Sequence, residues 1–258
     1  MFLAEPPPSN ADLHFRIFGF PVRVHPLFWV VVLILGVSSG DGEPRFALTW
    51  VAVAFVSIVV HELGHALLQR RFGGEPRIVL YSFGGLAICE DCDRSPGKQI
   101  AISLAGPLAG FAFAAAVVAA IRLSGHPIGF TTHPAFPFDA YLVPAIVGDL
   151  YFAVFESEAL NLIVRTLLWV NIWWGILNLL PIYPLDGGRV SRELCTMRGN
   201  PRQGIVNSLW ISIFTAAAVA VFSLLRGDLF LTILLGFMGY SNYQTLQSYR
   251  QYGNGRRW

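Results

Sequence analysis

Residues 51–71, VAVAFVSIVVHELGHALLQRR, limit what this chain can fold into more than any other stretch. Residues 46–60 carry no charge, so the segment reads as one helix of the length that crosses a bilayer. His61, Glu62 and His65 fall near one end of it. An ionisable side chain in an apolar span is costly and points to function. Residues four apart on a helix share a face, so His61 and His65 point the same way. Two imidazoles at that spacing can grip a zinc ion, and Glu62 beside them can act as a general base. On a soluble helix the same residues on a wet face would carry no such meaning. Here no wet face precedes them, and buried polar groups need a partner. A metal would supply it.

Composition sets the class. Hydrophobic residues make up 54% of the 258 positions and charged residues only 13%, against about 25% charged in soluble domains. The chain therefore reads as an all-α integral membrane protein of about six transmembrane helices. The expected spans are 25–39, 47–70, 98–123, 159–180, 205–225 and 229–246. A small membrane-associated β-hairpin or re-entrant element is expected after the second span, where 72–97 is rich in glycine and β-branched residues. Residues 1–24 form a cytoplasmic or interfacial lead-in whose FRIFGFPVRV reads as strand-like. Residues 40–46 read as a turn, and 124–158 as a longer loop with room for an interfacial helix. The whole chain, 1–258, reads as one membrane-embedded domain: a catalytic core at 25–200, two additional helices within 201–246, and a tail at 247–258. No internal repeat and no cleavable signal peptide are expected.

Orientation follows from the basic residues. With six spans and a cytoplasmic N-terminus, 14 of the 18 Lys and Arg residues lie on the cytoplasmic side. Both termini and the HExxH end of the second span then face the cytoplasm. The lipid bilayer is the expected surrounding, and no nucleic-acid partner is expected.

A catalytic zinc takes three protein ligands and keeps one position open. On the six-span topology, Asp186 in PIYPLDGGRV reaches the same membrane half as His61 and His65. Pro181 and Pro184 cannot continue a helix, and Gly187-Gly188 permits a tight turn. By composition alone, DGG would be an ordinary turn at the end of a helix; convergence with HExxH makes Asp186 the third-ligand candidate. Asn171 and Asn178 share a face of the fourth span. An interhelical hydrogen bond is the expectation for Asn171, while Asn178 could donate to an oxyanion. Cys89 and Cys92 read as two reduced cysteines in a turn, a redox or second metal role being the lesser alternative.

HELGH at 61–65, SLAGPLAG at 103–110 and NLLPIYPLDGG at 178–188 together resemble the site-2 protease family of intramembrane zinc metalloproteases. PVRVHPLFW at 21–29 also resembles the start of its compact bacterial and archaeal members, and the likeness covers most of 20–200. The resemblance implies that His61, His65 and Asp186 bind Zn2+, that Glu62 is the catalytic base, and that Asn178 lies near the substrate carbonyl. It implies a β element near the active site at 78–88. It also implies cleavage of single-span membrane proteins and a prokaryotic cell membrane as location, with substrate control from the spans, the short loops or a regulatory membrane partner. The loop at 124–158 is too short for an inserted PDZ domain. The rival reading is a membrane zinc-binding or zinc-transport protein without proteolytic activity, but no acidic or His track continues across the membrane.

Overall fold

The computed structural model describes residues 5–39, 43–82, 84–132, 139–197 and 199–254. The expected turn at 40–46 falls partly on residues outside this range, as do His133, Arg198 and the end of the tail. In chain order the elements are β1 (Leu13–Ile17), β2 (Phe20–Val24), α1 (Pro26–Ser39), α2 (Pro44–Arg71), β3 (Arg77–Tyr81), β4 (Gly84–Ile88), α3 (Pro96–Leu123), β5 (Ile128–Thr131), β6 (Ala140–Pro144), β7 (Asp149–Ala153), α4 (Glu158–Leu179), α5 (Asp186–Thr196), α6 (Pro201–Leu225) and α7 (Leu229–Asn254). They fall into two compact units, Met1–Cys92 with Ala105–Gly175, and Asp93–Leu104 with Ile176–Trp258.

The first unit holds two sheets. Sheet one has the order β1-β2-β3-β4, with β2 and β3 parallel and the other pairs antiparallel. Phe18 and Gly19 both take positive φ, which suits the two-residue turn of the β1–β2 hairpin. Alternation sends Phe20, Val22 and Val24 inward, where they join Ile78 and Leu80 against Phe28 of α1 and Ile58, Leu63 and Ala66 of α2. The lead-in is thus a wall of the core that supports the HExxH helix. The expected hairpin at 78–88 is present as β3 and β4.

The stretch at 124–158 departs from expectation. Among the described residues it holds three antiparallel strands, in the order β5-β7-β6, and no interfacial helix. Phe152 and Val143 are fully buried against Ala114 and Ile121 of α3 and Val164 and Leu168 of α4. The strands are four or five residues long, too short for a clear period-two signal. With two sheets, the described chain is mostly helical rather than all-α.

In the second unit, Pro201 opens α6 behind an Asn200 cap whose side chain accepts from the Arg202 amide. Ile182, Ala216 and Leu235 form its buried centre.

Among the described residues, α2, α3, α4 and α6 are long and apolar enough to cross a membrane. That is four, against the six expected. Helix α1 has 14 residues, about 21 Å at 1.5 Å per residue, short of a hydrocarbon core about 30 Å thick. Helix α7 has the length, but its second half, SNYQTLQSYRQ, is polar.

Candidate metal centre

Helix α2 runs unbroken for 28 residues, opened by Pro44 and closed by Arg70 and Arg71, whose charges suit a helix C-terminus. It therefore carries the HExxH spacing faithfully. His61, Glu62 and His65 are all buried, each at most 5% exposed. The two Nε2 atoms face each other at 3.1 Å, with the rings nearly perpendicular. Both imidazoles thus turn the same nitrogen toward one point.

Glycines make room around this point. A Cβ on Gly106 of α3 would lie 2.7 Å from the His61 Nε2 and closer still to that of His65. Gly64 meets α3 so closely that a Cβ would press on Ala109 at 2.8 Å and on the Ala105 carbonyl. The SLAGPLAG segment is therefore the wall that small residues let approach the histidines. Helix α3 continues through Pro107, which has no amide to donate to the preceding turn. On the other side, Gly85 of β4 lies against the Glu62 carboxyl; a Cβ there would be 2.7 Å from Oε1. The expected hairpin thus lies beside the expected base. Gln69, one turn past His65, donates to the Ala87 carbonyl and ties β4 to α2.

Asp186 is presented differently. It is the first residue of α5, is 5% exposed, and follows an irregular segment from Leu180 to Leu185. That segment includes a cis Tyr183–Pro184 bond. The DGG sequence is thus the start of a helix, and not simply a turn. Gly187 and Gly188 are pressed onto the preceding chain: a Cβ on Gly187 would be 2.5 Å from the Leu180 carbonyl oxygen, and one on Gly188 2.5 Å from that of Ile182. Neighbouring helices hold the segment in place. The Tyr183 amide donates to Ser212 Oγ at 3.0 Å, and the Asn242 side chain donates to the Tyr183 carbonyl. Ser212 and Asn242 escaped the sequence reading, although a polar side chain in an apolar run is the signal for both.

Asn178 is buried near the end of α4. Asn171 donates to Ser57 Oγ of α2 at 2.9 Å and to the Leu167 carbonyl, the interhelical role expected of it. Cys89 and Cys92 differ from expectation. They are joined in a disulfide, because the chain after β4 turns back over Gly74 and brings their Cα atoms to 5.6 Å.

His61 and His65 in the first unit and Asp186 in the second are each buried and each of a type that could hold a metal ion. Two imidazoles and one carboxylate are a catalytic zinc donor set, leaving a position for water or substrate. The residues fit Zn2+. Apolar helices of membrane-crossing length, one of them carrying a buried HExxH, are the pattern of membrane metallopeptidases.

Known proteins agree. The model of Peptidase family M50 matches residues 49–221, and the chain belongs to that family. A zinc metalloprotease of Methanocaldococcus jannaschii is 27% identical over 228 residues, covering 86% of this chain and 55% of that protein. Stage IV sporulation protein FB of Bacillus subtilis is 27% identical over 173 residues, covering 66% of this chain and 46% of that one. The chain spans about half the length of these curated relatives. The solved structure of a site-2 protease from Methanocaldococcus jannaschii has a similar fold, with a TM-score of 0.55 at 24% identity, over 91% of this chain and 95% of that one.

Proposed function

We propose that the protein is a zinc-dependent intramembrane endopeptidase that cleaves transmembrane segments of membrane-anchored proteins. The observation that carries this reading is the buried His61–His65 pair with Glu62 between them on one apolar helix. In this reading His61, His65 and Asp186 hold the zinc. When bound, zinc acidifies a water and polarises a carbonyl. Glu62 takes the proton from the attacking water and passes it to the leaving amine. Its position against Gly85, where no side chain intervenes, leaves its carboxyl facing the β4 backbone. Asn178 donates to the carbonyl oxygen as negative charge develops there.

The substrate is a single-span membrane protein whose helix unwinds locally, because a helix keeps its amides in its own hydrogen bonds. Its selection rests on the spans, the short loops or a regulatory membrane partner. The catalytic core is 25–200, in a six-span arrangement where α1 and α7 complete the count. The active site and both termini face the cytoplasm of a prokaryotic cell, as the distribution of Arg and Lys favours.

The test is cleavage of a panel of single-span membrane proteins by purified wild type and Glu62→Gln, with zinc measured in both. Cleavage by wild type alone, with about one zinc per chain in each, is expected. A Glu62→Gln protein that cleaves at the wild-type rate would sink the assignment of the base. Zinc in both without cleavage by either would leave a missing partner or wrong substrate panel against zinc carriage, and a zinc flux assay in liposomes would decide between them.

A further inference from the structure

We propose that the turn between β6 and β7 dips its Ile146–Val147 tip into the boundary between lipid headgroups and acyl chains. It would be a second, non-helical contact between this chain and the bilayer. Two sets of hydrogen bonds fix where the hairpin lies along α4. At one end, Asn161 near the start of α4 bonds both ways with the Phe155 backbone: the Phe155 amide donates to Oδ1 at 2.8 Å, and Nδ2 donates to the Phe155 carbonyl at 2.9 Å. At the other end, Trp173 Nε1 donates to the Pro144 carbonyl at 3.0 Å. Twelve residues of helix separate Asn161 from Trp173, about 18 Å at 1.5 Å per residue. A five-residue strand covers about 16 Å. The hairpin therefore runs alongside the helix, base at Asn161 and tip at Trp173.

Helix α4 is among the described helices long enough and apolar enough to cross a membrane. Its only basic residue, Arg165, is exposed, and its guanidinium lies 6.0 Å from the Tyr141 ring of β6. A charged head stays at the wet edge of a bilayer. Trp173 is eight residues further on, about 12 Å along the helix. Trp169, Trp173 and Trp174 in this stretch are the side chains that favour the membrane boundary.

The tip matches that environment. Residues 144–148 read PAIVG and carry no charge. Ile146 is 75% exposed and Val147 69%. The turn is closed by the Ala145 amide donating to the Gly148 carbonyl, and Gly148 takes φ +77°, so the two aliphatic side chains are held outward. Depth is limited by Asp149, which pairs with Pro144 and lies on the strand next to the turn. Leu150 and Phe152 pack on the α3–α4 core, so alternation turns Asp149 to the other face. A carboxylate there keeps the tip in the boundary layer and out of the bilayer centre.

The test uses full-length protein in which Cys89, Cys92 and Cys195 are serine, with one new cysteine at a time carrying an environment-sensitive fluorophore. Sites are Ile146→Cys and Val147→Cys, with Glu158→Cys as the wet reference and Phe214→Cys, exposed on α6, as the lipid reference. Each is placed in phosphatidylcholine–phosphatidylglycerol vesicles, alone and with lipids spin-labelled at a shallow or a deep acyl position. The expected result is blue-shifted emission at 146 and 147, close to the Phe214 site, and stronger quenching by the shallow label than by the deep one. Water-like emission at both tip sites, matching Glu158, would overturn the proposal, and so would stronger quenching by the deep label. Two tip sites guard against one variant failing to fold. Because no cleavage is read, failure here leaves the protease reading standing.

Discussion

The two kinds of metal-ligand candidate are held in opposite ways. His61 and His65 stand on an uninterrupted helix, one turn apart, and their common direction follows from helical pitch alone. Asp186 stands where a helix has just begun, after six irregular residues, and its position depends on what surrounds those residues. The difference teaches where each ligand is vulnerable. The histidine pair is limited by what approaches it, so it is guarded by Gly106 on α3 and by Gly64 on α2, which lets α3 come close. Asp186 is limited by its own backbone, so it is guarded by Gly187, Gly188 and side chains from α6 and α7.

The largest effect should come from crowding the histidines. Gly106→Ala puts a methyl group against both Nε2 atoms. Zinc affinity, measured by competition with a chelator, should fall about 10–100-fold, the range found when groups beside metal ligands are altered. Unchanged affinity would show that α3 does not wall the site. Next comes Gly187→Ala, whose Cβ would press on the Leu179 and Leu180 backbone carbonyls. Overpacking of this kind should cost about 1–3 kcal/mol, read as a lower thermal midpoint, and weaken zinc binding with it. A normal midpoint with normal zinc content would mean the turn before Asp186 yields cheaply.

Asn242→Ala sharpens the contrast further. It removes the donor to the Tyr183 carbonyl and should cost about 1 kcal/mol, with a measurable loss of zinc affinity. The smallest effect is expected for Asn171→Ala, which loses the bond to Ser57 between two intact helices. Such bonds in membranes average about 0.6 kcal/mol, and zinc content should not change. If Asn171→Ala lost more zinc than Asn242→Ala, the assignment of vulnerability would be reversed.

Much of the first unit was legible beforehand for the same reason. The α2 helix, the β3–β4 hairpin and the strand-like lead-in are local patterns of period or turn chemistry. The second sheet was not legible, because strands of four or five residues give little periodic signal and take their inward direction from Ala114, Ile121 and Val164, distant in sequence. By composition DGG reads as a turn because all three residues are poor helix formers, yet they open α5; contacts within the second unit override that preference. The six-span expectation counted apolar runs, while the length of α1 and the polar end of α7 leave four clear spans among the described residues.

Sequence alone determined that this chain enters a membrane and that two imidazoles and a glutamate share one end of an apolar helix. Both follow from composition and from the 3.6-residue period, which need no knowledge of neighbours. Only the tertiary structure decided which backbones crowd those side chains: Gly106 at the imidazoles, Gly85 at Glu62, and the glycine pair behind Asp186. A glycine in a sequence shows where a side chain is missing. Which atom fills the space is settled by packing between segments far apart in the chain.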